Sequence, residues 1–113
     1  IVLTKWFDTK DAEVLIVAFG ITTRVSRAAA LEARAEGIAS GVLQLQTLWP
    51  FPDEEIRSAA EGARRVIVVE MNYAGQVENE VRRVLGPGRD IRGVRSFNGR
   101  IIWPEEVLRA IRA

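Results

Sequence analysis

The chain has 113 residues, 48% of them hydrophobic and 27% charged, the mix of one ordinary globular domain long enough to bury a single core. Its formal net charge of +1 gives no electrostatic footprint for nucleic acid or an anionic membrane, and no apolar run approaches the ~20 residues that cross a bilayer. It has no cysteine and no histidine, which excludes disulfides and thiolate metal sites within the chain and removes the commonest general acid–base side chain.

IVLTKWF (1–7) carries Trp6 and Phe7 and reads as an edge strand. EVLIVAFG (13–20) is a continuous apolar run, as expected of a strand covered on both faces. TRVSRAAALEARAEG (23–37) has a helical period. Val25, Ala28, Leu31 and Ala35 share one arc, the expected buried stripe, with Arg27 and Arg34 opposite. Gly37 stands where a left-handed residue closes a helix, and Ile38 supplies the apolar contact just beyond. SGVLQLQTL (40–48) is the next strand.

WPFPDEEIRSAAEG (49–62) turns into a helix, with Pro52 pre-setting its first turn and Asp53, Glu54 and Glu55 on its positive end. RRVIVVE (64–70) is a strand. QVENEVRRVL (76–85) is a helix with a stripe of Val77, Val81, Val84 and Leu85 and an i,i+4 pair of Glu78 with Arg82. GPG (86–88) stops it, DIRGVRS (90–96) is a weaker, edge-like strand, and PEEVLRAIR (104–112) is the last helix. Short connections between alternating strands and helices predict an α/β fold: a mostly parallel sheet with helices on both faces. No repeat, linker or low-complexity tract divides the chain, so 1–113 is read as a single domain.

Ligands of such sheets sit beyond the carboxyl ends of the strands, and three loops there carry candidate binding or interface residues. In GITTR (20–24), Thr22 or Thr23 caps the helix, or the helix end with Arg24 holds an anion. In TLWPFPDEE (47–55), two prolines stiffen a turn bearing Trp49 and Phe51, which is either a packing corner or an apolar patch for a partner domain. In VVEMNYAGQ (68–76), Glu70, Asn72 and Gln76 surround the end of a strand. The carboxylate there is a base, or a cap for amides of a turn shaped by Asn72 and Gly75. No nucleophile, histidine or metal motif stands near, so no catalytic and no metal-ligating residue is assigned.

AEVLIVAFG, an Ala-rich helix, LQTLWPFPDEEI and VIVVEMNYAGQ follow in order across residues 12 to 86. This combination, WPFP and E-x-N-x-x-G-Q above all, resembles the C-terminal domain of the alpha subunit of 2-oxoacid:ferredoxin oxidoreductases, the pyruvate:ferredoxin oxidoreductase domain II family. The related domains of transketolases and of 2-oxoacid dehydrogenase beta subunits look more like T-L-x-P-L-D at the turn. The resemblance implies a three-layer α/β/α sandwich of transketolase C-terminal type, a five-stranded sheet of order 1-3-2-4-5 with strand 1 antiparallel, which assigns 1–7 as the odd strand. It also implies that GITTR and EMNYAGQ line one crevice at the switch point.

The family's reaction is oxidative decarboxylation of a 2-oxoacid to an acyl-coenzyme A, with electrons passing to ferredoxin. The thiamine diphosphate, Mg²⁺, iron–sulfur clusters and coenzyme A that it implies are expected elsewhere in the complex, and none on this chain. The expected partners are the remaining domains of the alpha subunit, the beta and further gamma or delta subunits, and ferredoxin through the complex, with no nucleic acid and no membrane. The chain opens at Ile1 in domain-like sequence with no signal peptide, so it is expected to be a fragment of a longer, cytoplasmic subunit, inactive alone. The rival readings are a free-standing small-molecule or nucleotide-binding module, and a domain of the transketolase or dehydrogenase beta type.

Overall fold

Strands and helices alternate as β1 (Thr4–Phe7), β2 (Val14–Phe19), α1 (Thr22–Ala35), β3 (Ser40–Leu45), α2 (Asp53–Ala60), β4 (Arg65–Glu70), α3 (Gln76–Leu85), β5 (Ile91–Arg95) and α4 (Pro104–Arg112). The computed structural model describes residues 1–71, 75–96 and 99–113. The strands form one five-stranded sheet of order β1-β3-β2-β4-β5. β1 runs antiparallel to β3, with Lys5 opposite Gln44 and Phe7 opposite Val42, and the other pairings are parallel. The expected order, and the antiparallel first strand, are what the structure shows.

Alternate residues of the central strands feed two separate cores, as the period of a pleated strand requires. Leu15, Val17, Leu43, Val66 and Val68 face α2 and α3, where Ile56, Ala60, Val81 and Val84 meet them. Val14, Ile16, Val42, Ile67 and Val69 face α1 and α4, where Ala29, Ala33, Leu108 and Ile111 meet them. The sheet is thus the middle of three layers.

The close of α1 follows the sequence expectation. Gly37 has φ 88°, its amide donates to the Arg34 carbonyl, and the Ile38 amide donates to the Ala33 carbonyl at 2.9 Å. That is the double-bonded left-handed helix ending, and Ile38 packs on the core beneath.

The buried stripe of α1 differs from the expected one. Its buried residues are Thr22, Thr23, Ser26, Ala29, Ala30 and Ala33, whereas Leu31 is 61% exposed. The small side chains let the helix lie close on the β-branched residues of the sheet and against α4, an approach that a leucine would prop open. Arg34 is not simply solvated: it donates to the Ser40 and Asp8 carbonyls at 2.8 Å each and pairs with Asp11 at 2.7 Å, fixing α1 to the turn between β1 and β2. Arg65 is buried in β4, where it pairs with Asp90 at 2.9 Å and donates to the carbonyls of Ala110 and Ala113 at the end of α4.

Candidate functional site

β2 and β4 are adjacent, yet α1 leaves β2 toward one face and α3 leaves β4 toward the other. This is the topological switch point, where open parallel sheets place their ligands. Here two side chains tie the elements together. Thr22 Oγ1 accepts from the Phe19 amide at 3.2 Å and donates toward the carbonyls of Phe19 (2.9 Å) and Val69 (3.0 Å). It therefore joins the ends of β2 and β4 and makes no capping bond to α1; the helix begins behind Ile21 without a side-chain cap.

Glu70 settles the second choice in favour of the cap. It is buried at the end of β4, and its Oε1 and Oε2 accept from the amides of Val77 (3.1 Å) and Glu78 (3.0 Å). Those are the second and third amides of α3, the ones an N-cap side chain ordinarily satisfies. The residue at the cap position is Gly75, which has no side chain and sits at φ 68°. Glu70 supplies the missing oxygens from the neighbouring strand, and its negative charge lies on the positive end of the helix. The proposed role for Asn72 in the same turn lies outside the described residues.

Three grooves lie around this switch point. One, of about 380 Å³, lies between the starts of α1 and α4 and is lined by Ile21, Thr22, Arg24, Met71, Ile101 and Trp103 among others. Met71 and the GITTR loop share this groove, whereas Gln76, at the far end of the EMNYAGQ loop, lines a different one. Ile21, Ile101 and Trp103 are each more than half exposed. Neither Ile101 nor Trp103 was singled out from the sequence, because a short apolar run before a helix looks like a packing segment.

The second groove, of about 340 Å³, lies on the opposite face and brings together Trp49, Phe51 and Gln76 with Leu48, Val77 and Glu80. Trp49 is 74% exposed, whereas Phe51 is half-buried against the α2–α3 core. Their rings stand 6.4 Å apart and tilted. The packing corner and the presented patch are thus two neighbouring residues. The Arg83 guanidinium lies near Phe51 and bonds Asp53 at 2.9 Å, which holds the Asp53 carboxyl below the usual carboxylate range. The third groove, of about 600 Å³, runs from Thr23 and Arg24 over β1 and β3 to Lys5 and Gln44.

Gln76 and Glu70 therefore point to different surroundings, and Thr23 and Thr22 do so as well. The family model described as pyruvate:ferredoxin oxidoreductase core domain II matches residues 12–107. The chain belongs to that family.

This core domain II is 45% identical over 102 residues to the ketoisovalerate oxidoreductase subunit VorB of Methanothermobacter thermautotrophicus, covering 90% of this chain and 28% of that protein. It is 39% identical over 103 residues to the 2-oxoglutarate synthase subunit KorA of Methanothermobacter marburgensis, covering 91% and 27%. The chain spans less than a third of the length of these curated relatives. Among solved structures, the alpha chain of a probable 2-oxoacid ferredoxin oxidoreductase from Thermoplasma acidophilum is 27% identical with a TM-score of 0.58, covering 96% of this chain and 93% of that one. A 2-oxoglutarate:ferredoxin oxidoreductase from Magnetococcus marinus, solved with 2-oxoglutarate, coenzyme A and succinyl-CoA bound, is 23% identical with a TM-score of 0.83, covering 97% and 19%. The likeness to that enzyme is one of fold.

Proposed function

We propose that this chain is the non-catalytic core domain II of the alpha subunit of a 2-oxoacid:ferredoxin oxidoreductase, and that its work is assembly. The family match over residues 12–107 carries the reading. In it the whole complex, cytoplasmic and dependent on thiamine diphosphate and Mg²⁺, converts a 2-oxoacid to an acyl-coenzyme A and reduces ferredoxin through iron–sulfur clusters. The donor set of this chain does not fit a cluster, which takes thiolates, since there is no cysteine. Among the described residues no three acids or histidines are placed to hold a metal ion. In this reading the cofactors of the complex lie in other domains and subunits.

The remainder of the alpha subunit is the proposed occupant of the groove of Ile21, Ile101 and Trp103. The relatives are more than three times as long as the segment that they share with this chain, so most of the subunit stands outside this domain. Exposed apolar residues clustered at one sheet edge are what an inter-domain contact of ~600–1,500 Å² needs. Among the described residues no helix is long and apolar enough to cross a membrane.

Purified chain should reduce no methyl viologen with pyruvate, 2-oxoglutarate or 2-oxoisovalerate, even with thiamine diphosphate, Mg²⁺ and coenzyme A added. The intact alpha subunit paired with its beta subunit should do so, and Trp103→Ala should lower the yield of assembled complex with little loss of turnover in what assembles. Turnover by the isolated chain would overturn the reading.

A further inference from the structure

We propose that the third groove, over β1 and β3 beside the start of α1, is a binding site for a small phosphorylated molecule with a planar or apolar body. This groove shares Ile21 and Arg24 with the apolar one assigned to assembly. Charge is the first argument. Lys5, Arg24 and Arg27 line the groove and no carboxylate does. Most other arginines of this chain are ion-paired, as Arg34, Arg65, Arg83 and Arg112 are. Among the described residues none of these three cations has a carboxylate partner. A nearly neutral chain thus concentrates unpaired positive charge at one place.

An unmet hydrogen bond is the second. Thr23 is only 8% exposed, borders the groove, and its buried Oγ1 has no hydrogen-bond partner. Buried hydroxyls are almost always paired, so this one marks a polar defect just beneath the wall of the cationic groove. The same groove receives the positive end of α1, a helix of 14 residues with no acid in its first turn. The other three helices each have acids there.

The apolar side of the groove sets the rest of the ligand. The Arg27 guanidinium lies 3.9 Å over the Phe7 ring, held there before any ligand arrives. Leu31, whose exposure is otherwise unexplained, forms the adjoining wall. The antiparallel register of β1 puts Lys5 opposite Gln44 on the floor, so the pocket needs the odd strand to exist.

Titration calorimetry of the 113-residue chain with AMP, with adenosine as the uncharged control, tests this at constant ionic strength. AMP should bind one to one and adenosine should not. Arg24→Gln and Arg27→Gln should each weaken AMP by about tenfold, the worth of one charge-assisted bond, and Arg109→Gln should leave it unchanged. Thr23→Val should melt no lower than the parent chain, since it removes an unpaired hydroxyl. Absence of AMP binding would overturn the proposal and assign the cations to acidic groups of a neighbouring domain. Binding that survives in the Arg24→Gln, Arg27→Gln double variant would overturn it too.

Discussion

Removing the Glu70 side chain should unfold the domain more readily, whatever its effect on any ligand. Its two oxygens hold two amides of α3 at 3.1 and 3.0 Å in a buried setting. A hydrogen bond to a charged group contributes ~1.5–3 kcal/mol, and a helix cap about 1 kcal/mol. The two bonds share one carboxylate and are not additive, so Glu70→Ala should lose about 2–4 kcal/mol. Glu70→Gln keeps one acceptor but sets an NH₂ group against an amide N–H and removes the charge from the helix end, for a loss of about 1–3 kcal/mol. Each kcal/mol moves the midpoint of a domain this size by about 4 °C, so the alanine variant should melt roughly 8–16 °C lower. Urea unfolding should show the same loss with an unchanged slope, the sign that stability and not compactness has altered. A Glu70→Gln chain as stable as the parent, yet unable to assemble or bind, would refute the capping argument and return the carboxylate to chemistry.

Gly41→Ala should be among the most damaging substitutions: its Cβ would stand 2.4 Å from the Asp8 carbonyl oxygen and 2.8 Å from the Thr9 Cα, both backbone. The β1–β2 turn must lift off β3, a loss of about 1–3 kcal/mol or more in urea unfolding, and an unchanged midpoint would show that the turn gives freely. Phe51→Ala should cost the isolated chain about 2–3 kcal/mol, somewhat below the figure for a fully buried ring, because its packing on the α2–α3 core leaves part of it exposed. Trp49→Ala should leave the melting curve within ~0.5 kcal/mol, because the ring is 74% exposed; equal effects of the two would contradict the division between corner and patch. Asp53, Asp90 and Glu106 are held below the usual carboxylate range by hydrogen bonds from Arg83, Arg65 and Arg100. A depressed folded pKa gives stability that is present above the unfolded pKa of about 4 and lost as pH falls through the folded value. With no histidine, stability should be level between about pH 5 and 8 and fall below about 4; a decline already between pH 8 and 6 would go against this.

Long-range order was legible where the sequence repeats a physical pattern. The valine-rich runs of β2 and β4 had to be central strands, because only burial on both faces tolerates such continuity. Gly37 with Ile38 marked the end of α1 through the one backbone conformation that needs glycine. The stripe of α1 was misread because hydropathy ranks Leu31 above Thr22 and Ser26. Contact with a sheet is decided by how closely the helix can approach, and there small residues win. The placement of Trp49 and Phe51 was open for a similar reason: two aromatics two positions apart on a turn share a composition but not a neighbourhood.

The site was less legible because its key side chains serve the backbone at long range. Thr22 looked like a cap for its own helix, yet its hydroxyl reaches β4, forty-seven positions along the chain, at the Val69 carbonyl. Glu70 was open between a base and a cap for the following turn, and its oxygens reach past that turn to cap a helix that lacks a capping side chain. Both spend the switch point on holding β2, β4 and α3 together. Grooves lie on either side of these ties. The two flanks differ in kind: Ile101 and Trp103 make an apolar rim on the α4 side, and Lys5, Arg24 and Arg27 make a cationic groove on the β1 side. Arg24 lines both. A ligand in the cationic groove would draw that guanidinium away from the apolar rim, so occupancy of one flank should be felt at the other.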